Sequence, residues 1–154
     1  MYKRQVLREV IDESSQKVLI FVPFRHAIAI LTEKLRKDGI TTEVIQGDVS
    51  ASQRTQIFKT FQQTSDPRVL VIQPQAAAHG VTLTAANTVV WWGPTSSLET
   101  YAQANARVHR SGQKHKCTVV QLHGSPVEKR VYALLDNRID VHTKMIELYE
   151  ELLD

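Results

Sequence analysis

Short strand-like runs alternate with longer segments in which apolar residues recur every three or four positions, and this alternation constrains the fold most. The run Val-Leu-Ile-Phe-Val at residues 18–22 is continuously apolar, as expected for a strand buried on both faces of a parallel sheet. Further strands are predicted at residues 42–45, 69–72, 88–92 and 118–122. Strands that alternate with helices predict an α/β fold, with a parallel sheet covered by helices on both faces.

Residues that typically begin or end helices occur in the segments between these predicted strands. Gly39 is expected to end a helix whose inner face carries Ile28, Leu31 and Leu35. Three helix starts are predicted from capping residues: Ser50 with Gln53, Ser96 with Glu99, and Ser125 with Pro126 and Glu128. The second of these helices is expected to carry two arginines, Arg107 and Arg110.

The topology of such a sheet predicts which of its edges binds ligands. Open parallel sheets bind ligands beyond the carboxyl ends of their strands. The loops expected at this edge are residues 23–26, 46–49, 73–80 and 93–96.

Composition bounds the class of protein. The 154 residues suit one domain with one substantial core, and 42% apolar residues fit a globular chain. No apolar run approaches the ~20 residues that a membrane-spanning helix needs, and one cysteine excludes an internal disulfide. We therefore expect an intracellular location, cytoplasmic by default and nuclear in a eukaryote. The net charge of +3 is too small to indicate nucleic-acid binding by itself.

The basic segment at residues 103–113, Gln-Ala-Asn-Ala-Arg-Val-His-Arg-Ser-Gly-Gln, is more informative than the net charge. Its arginines, Arg107 and Arg110, follow Gln103 by four and seven residues and would lie near one another on a helix. Planar guanidinium groups placed in this way suit the forked binding of phosphate oxygens. The alternative is an ordinary basic helix end, with both arginines solvated or paired to carboxylates.

This segment resembles the last conserved motif of superfamily-two helicases, in the Q-A-x-x-R-x-H-R-x-G-Q form of the Swi/Snf-type ATPases. Residues 76–86 are similar to the A-G-G-x-G-L-N-L-T-A-A motif of the same family, with alanines at 77 and 78 and a threonine at 82. Gly47 followed by Arg54 resembles the family's G-x-x-x-x-x-x-R segment, and residues 17–24 resemble its first motif in this lobe. The resemblance covers residues 17–135.

The resemblance implies the second, RecA-like lobe of an ATP-dependent motor that acts on nucleic acid, with double-stranded DNA expected for the Swi/Snf branch. It implies a catalytic set in which the two arginines stabilise the transferred phosphoryl group: Gln103, Arg107 and Arg110. Two residues would lie beside the nucleotide with them: Gly80 and Thr82. A further set would contact the nucleic-acid strand: Pro23, Arg25, Gly47, Gln73 and Thr84.

Domain boundaries follow from the same motifs. We expect an N-terminal segment at residues 1–16, the RecA-like lobe at 17–135 and a helical C-terminal extension at 136–154. The first five residues, Met-Tyr-Lys-Arg-Gln, match what translated adapter DNA would give, so an artefactual start to a gene fragment is suspected. We leave these five residues out of the fold prediction.

The sequence contains no G-x-x-x-x-G-K-[ST] phosphate loop. Asp12 and Glu13 are interpreted as a polar helix end, because the next strand follows too closely for the rest of a first lobe. ATP and Mg²⁺ would therefore be held mainly by a first lobe in cis, and the isolated lobe is predicted to be inactive.

Alternatives remain at three points. The chain could be a non-catalytic α/β module that binds nucleic acid or docks onto a protein. Trp91 and Trp92 could stack on bases, although packing is the preferred interpretation. Four residues close in sequence could suggest zinc, but their spacing matches no paired-ligand pattern and no metal site is predicted: His109, His115, Cys117 and His123.

Overall fold

The computed structural model describes residues 2–77 and 81–138. Helices and strands alternate along almost the whole described chain. The helices are α1 Tyr2–Glu13, α2 Arg25–Lys37, α3 Ala51–Gln63, α4 Leu98–Asn105 and α5 Pro126–Asp136, with a short 3₁₀ turn at Pro74–Ala77. The strands are β1 Lys17–Phe21, β2 Thr42–Ile45, β3 Val69–Ile72, β4 Ala86–Trp91 and β5 Thr118–Gln121.

The five strands form one parallel sheet in the order β2-β3-β1-β4-β5. The central strand β1 pairs on both sides, with Val18 opposite Val69 of β3 and Thr88 of β4. All four residues of β3 are buried, whereas β5 at the edge is only partly covered. The predicted α/β class and its parallel sheet are therefore confirmed.

Successive side chains along each strand point to opposite faces of the sheet. Each face therefore has its own hydrophobic core. Leu19 and Phe21 point to the face covered by α3, α4 and α5. Val18 and Ile20 point to the face covered by α1 and α2. Helices on both faces explain why residues 18–21 of β1 and all four residues of β3 are apolar.

Trp91 is the largest fully buried side chain and joins the sheet to the helices of the first core. Its ring lies between those of Phe21 and Tyr101, with centroids 4.8 Å apart in each pair. The packing interpretation of Trp91 is confirmed, and a base-stacking role for it is excluded by its burial. Trp92 is half-buried, and the Lys3 ammonium lies 5.6 Å from its ring centroid.

Helix ends follow the predicted capping chemistry in most cases. The Ser50 hydroxyl accepts from the Gln53 amide at 3.2 Å, and the Gln53 side chain accepts from the Ser50 amide at 3.3 Å. Gly39, just beyond α2, has φ +81°, a left-handed conformation that glycine adopts without strain. Ser125 caps α5, and Pro126 occupies its first turn.

The predicted cap at Ser96 is wrong by one residue. Ser97 caps α4 instead, and its hydroxyl accepts from the Thr100 amide at 3.1 Å. The sequence offers two adjacent serines, and the register is set by tertiary contacts because Leu98 packs against the core. Glu99 then accepts a hydrogen bond from the Gln103 side chain one turn later, at 3.0 Å.

The N-terminal segment folds as a helix that includes residues left out of the fold prediction. Lys3 donates from its ammonium to the Trp92 carbonyl at 2.7 Å and pairs with Glu128 at 3.2 Å. At the other end of α1, Asp12 and Glu13 are exposed, as expected for a polar helix end.

Two predictions fall on residues outside the described ranges. One is the helical extension beyond residue 138, and the other is Gly80 as a neighbour of the nucleotide. Within the described ranges, no helix is long and apolar enough to cross a membrane.

Candidate functional site

The two arginines of the basic segment do not lie on a helix, which corrects the prediction that α4 carries them. α4 ends at Asn105, and residues 106–113 form a series of turns. The Asn105 side chain accepts from the Trp91 indole N–H at 2.8 Å. The Arg107 carbonyl accepts from the Leu83 amide at 2.9 Å, so the chain leaves the helical path to bond with residues before β4.

Arg107 is a buried cation, with 8% of its surface exposed. Its Nε donates to the Gln103 carbonyl at 2.9 Å, and no described carboxylate lies within ion-pair distance of it. Burial lowers the pKa of the Arg107 guanidinium, and the charge of nearby Arg110 lowers that pKa further. Buried arginines are normally paired with a carboxylate, and Arg107 has no such partner among the described residues.

Arg110 lies close to Arg107 and reaches across to the segment before β4. Its Nη1 donates to the Val81 carbonyl at 3.0 Å. Gln113 ties the same two stretches together through bonds from its side chain to the Ala86 carbonyl at 2.9 Å and the Val108 carbonyl at 3.1 Å. The structure thus brings the arginine segment, residues 106–113, against residues 81–86.

Gln103 and Thr82 border this cluster in different ways. The Gln103 side chain turns to Glu99, and its backbone carbonyl is the atom that contacts Arg107. Thr82 is exposed, and its hydroxyl makes no hydrogen bond with any described residue. Thr82 directly follows Val81, whose carbonyl accepts from Arg110.

A second cluster lies at the carboxyl ends of β1, β2 and β3, and we call it the carboxyl-edge cluster: Pro23, Arg25, Gly47 and Gln73. The Gly47 amide donates to the Gln73 side chain at 3.3 Å. Arg25 pairs with Asp48 at 2.8 Å, and the two side chains are 62% and 63% exposed. Residues 23–26, 46–49 and Gln73 follow β1, β2 and β3 and therefore lie at one edge of the sheet, as predicted.

Thr84, the fifth residue expected to contact nucleic acid, lies apart from this cluster. It precedes β4 at the opposite, amino-terminal edge of the sheet, where its hydroxyl accepts from Gln62 at 2.8 Å. The connection from β3 to β4 must cross the height of a parallel sheet, so its last residues lie far from its first ones.

Arg54 is named in the sequence analysis only as part of the G-x-x-x-x-x-x-R segment, without a role of its own. Its Nε is buried and has no hydrogen-bond partner among the described residues, and its Nη2 donates to the Val49 carbonyl at a long 3.4 Å. It lines a groove together with Thr82, which connects it to the arginine segment through Val81. The seven-residue spacing from Gly47 to Arg54 was the available signal, but spacing cannot show an unsatisfied donor.

The histidines near Cys117 show no metal-binding arrangement. Within residues 2–77 and 81–138, no three His, Cys, Asp or Glu side chains are grouped so that they could hold a metal ion. Burial raises the pKa of the Cys117 thiol. The Cys117 sulfur lies 4.0 Å from the Val108 carbonyl, behind the arginine segment.

Comparison with known proteins identifies the family. The family described as "Helicase conserved C-terminal domain" matches residues 2–112. An uncharacterized ATP-dependent helicase of Schizosaccharomyces pombe is 31% identical over 86% of the chain. A putative SWI/SNF-related matrix-associated actin-dependent regulator of chromatin from Arabidopsis thaliana is 29% identical over 80% of it. The chain spans only 13% and 14% of the lengths of these two relatives.

A solved structure confirms the fold. The C-terminal part of the Fun30 ATPase domain superposes with a TM-score of 0.80, at 22% identity, over 86% of this chain and 45% of that one. The sheet order, the helices on both faces and the matched family agree with the RecA-like lobe that the motifs predicted. The chain belongs to the helicase C-terminal domain family, and its relatives are of the Swi/Snf type.

Proposed function

We propose that this chain is the second motor lobe of an ATP-dependent, Swi/Snf-like translocase that acts on double-stranded DNA. Arg107 and Arg110 would reach the terminal phosphate of ATP bound on a first lobe in cis. The observation that carries this proposal is the buried Arg107, a cation held by a backbone carbonyl and without a described carboxylate partner.

The surroundings of Arg107 suit the stabilisation of a developing negative charge. Its Nε is bound to the Gln103 carbonyl, so the orientation of the guanidinium is set before any ligand arrives. The terminal nitrogens then form a planar fork that can meet two phosphate oxygens, which the ammonium of a lysine could not do. Gln103 is a positioning residue here, because its carbonyl, and not its side chain, contacts the arginine.

Arg110 contributes a second positive charge from an exposed position. Its bond to the Val81 carbonyl links the arginine segment to the residue before Thr82. The Thr82 hydroxyl bonds no described residue and suits contact with a ribose. An arginine supplied from outside the primary phosphate site raises kcat by a factor of about 10³ to 10⁵. Mg²⁺ would neutralise phosphate charge, and no described residue of this chain is proposed to hold it.

The carboxyl-edge cluster is proposed to contact the DNA backbone. Because Gly47 has no side chain, the loop backbone at this position can approach a phosphate closely. The Gln73 side chain stabilises the loop by accepting a hydrogen bond from the Gly47 amide. Arg25 is paired with Asp48 at the surface, where such pairs contribute about 1 kcal/mol or less, so exchanging Asp48 for a phosphate costs little. Chromatin regulation, named for the Arabidopsis relative, is consistent with a duplex DNA track.

The test is DNA-stimulated ATP hydrolysis by a protein that contains both lobes, comparing wild type with Arg107→Ala and Arg110→Ala. We expect each substitution to lower kcat by about a hundredfold or more. Circular dichroism spectra should show that both variants remain folded. The chain alone should show no turnover. Unchanged turnover in both variants would rule out the arginine role, and no turnover in the two-lobe wild type would favour a non-catalytic binding module.

A further inference from the structure

The sheet face that α3, α4 and α5 cover is closed over β4 but open over β5. Val89 and Val119 are register partners on these two strands, so their side chains point to the same face. Val89 is 1% exposed, whereas Val119 is 44% exposed. β5 is the edge strand on this side of the sheet, and the described helices leave its apolar side chain in contact with solvent.

The open part of β5 belongs to a groove of about 530 Å³ that α4, β5 and α5 line. Most of the lining side chains are apolar, among them Leu98 of α4, Val119 of β5 and Leu135 of α5. Val108 of the arginine segment forms part of the wall. An apolar groove along an edge strand is a surface that folded proteins usually cover with a further segment.

The free charges at this groove are positive. Arg138 lines it, and Lys116 directly precedes the lining residue Cys117; neither cation forms an ion pair with a described carboxylate. Asp136 is the one carboxylate among the described lining residues. Its two oxygens accept from the Gln121 side chain at 2.9 Å and 3.1 Å, so its charge is already engaged. The groove therefore favours an acidic occupant.

The chain itself continues from the rim of this groove. Arg138 is both a lining residue and the last residue of the described ranges. Its φ is +56°, a left-handed conformation that ends α5 and turns the backbone away from the helix axis. Sixteen residues follow it in the sequence (154 − 138). A segment tethered at the rim has a high effective concentration in the groove, which favours it over a separate molecule.

Residues 139–154 match the groove in charge and in apolar pattern. They contain five acidic residues and one lysine, so their net charge is −4 with histidine neutral (1 − 5). Apolar residues recur at Val141, Met145, Leu148 and Leu152, the spacing of one face of an amphipathic helix. The sequence therefore predicts an acidic segment with one apolar face, as an apolar groove with a basic rim requires.

We propose that residues 139–154 dock in the groove over β5, with their apolar face on Val119 and their acidic side chains towards the basic rim. The docked segment covers the open edge of the sheet and packs against Val108. Because Val108 lies between Arg107 and Arg110, docking also restrains the backbone that carries both arginines. This last consequence rests on the proposed function, whereas the docking itself does not.

The test is disulfide trapping in the full chain. Cys117 is the single cysteine of the sequence and lines the groove, so it reports directly on an occupant. A disulfide requires Cα atoms within about 7 Å of each other. Met145→Cys, Leu148→Cys and Leu152→Cys each place a thiol on the apolar face, and Thr143→Cys, the control, places one on the opposite face of the same predicted helix.

At least one of the three apolar-face variants should form an intramolecular disulfide with Cys117 about tenfold or more faster than the control, because docking holds the two thiols within reach. Mass spectrometry of the unreduced peptides identifies the link. Equal rates in all four variants would mean that the segment does not occupy the groove. Cross-linked dimers whose yield rises with protein concentration would assign the groove to a second copy of the chain, which would also overturn the proposal.

The reactivity of Cys117 towards Ellman's reagent gives a second measurement without an added cysteine. Leu148→Asp and Thr143→Asp each add one negative charge to the segment, but only the first places it on the apolar face. Leu148→Asp should raise the reaction rate about fivefold or more as the groove opens, and Thr143→Asp should leave it within about twofold. An unchanged rate in both variants would contradict docking. ATP hydrolysis enters neither measurement, so failure of the docking and failure of the proposed function are separate results.

Discussion

The arginine segment and the carboxyl-edge cluster each contain an arginine that we propose binds phosphate oxygens, but the two side chains are held in opposite ways. Arg107 is buried and bonded to a backbone carbonyl, so its full charge is retained in a fixed orientation. Arg25 is exposed and paired with Asp48, so its charge is partly neutralised and its side chain is easily released. Carbonyl-held arginines suit charge stabilisation in a transition state, whereas ion-paired surface arginines suit exchangeable contact with a backbone.

The largest expected difference between the regions is in turnover. In a two-lobe protein, Arg107→Ala should lower kcat by about a hundredfold or more, because a preorganised charge is lost at the phosphoryl group. Arg25→Ala should leave kcat within about twofold and raise the DNA concentration needed for half-maximal stimulation. Steady-state kinetics at two salt concentrations separates these effects. If both variants changed the same parameter, the functional distinction between the regions would be lost.

The free energy of unfolding should depend strongly on Asn105, the last residue of α4 before the arginine segment. Asn105→Ala removes the acceptor of the buried Trp91 indole N–H, and we expect about 1–3 kcal/mol less free energy of unfolding. Urea denaturation followed by tryptophan fluorescence measures this loss. Asn137→Ala is the control, because its side chain bonds only the exposed last turn of α5 and should change stability by less than about 0.5 kcal/mol.

The N-cap of α3, Ser50, stabilises the end of the loop at residues 46–49. Ser50→Ala removes the capping box that starts α3 directly after this loop, and should lower the free energy of unfolding by about 1 kcal/mol. Ser96→Ala, one residue before the cap of α4, provides the matched control, because the Ser96 side chain is exposed and bonds no described residue. A loss as large for Ser96 as for Ser50 would show that the cap bond is not the cause.

The smallest effect is expected at the exposed ion pair. Asp48→Asn should change the free energy of unfolding by less than about 0.5 kcal/mol, because both side chains are well solvated. Repeating the denaturation at 1 M salt should abolish even this difference. A destabilisation above about 1 kcal/mol that persists in salt would mean that the pair is structural and that Arg25 is not readily available to DNA.

The sequence predicted the sheet well because its signals are local and repeated. β2 and β3 were predicted with their observed bounds, and the capping box at Ser50 and the stop at Gly39 were found where expected. These features depend on hydrophobic period and on short-range hydrogen bonds, which neighbouring residues specify.

The prediction failed where long-range contacts decide the outcome. The end of α4 before Arg107 depends on the Leu83 amide, which is distant in sequence and competes for the Arg107 carbonyl. Thr84 and Gln73 were both expected to contact nucleic acid, and the sequence could not show that the connection carries them to opposite edges of the sheet. The unsatisfied Nε of Arg54 depends on burial by groups from several elements, which no local pattern encodes.

The central position of β1 has a consequence for synthesis on the ribosome. Its partner strands lie far along the chain, and Val18 pairs with Thr88, 70 residues later (88 − 18). At about 5–20 residues per second, those 70 residues take roughly 4 to 14 s to be translated. During that time an apolar segment destined for complete burial has only one of its two neighbours or neither. A nascent chain of this lobe therefore presents β1 to chaperones until β4 emerges, and pauses in translation before Trp91 would lengthen its exposure.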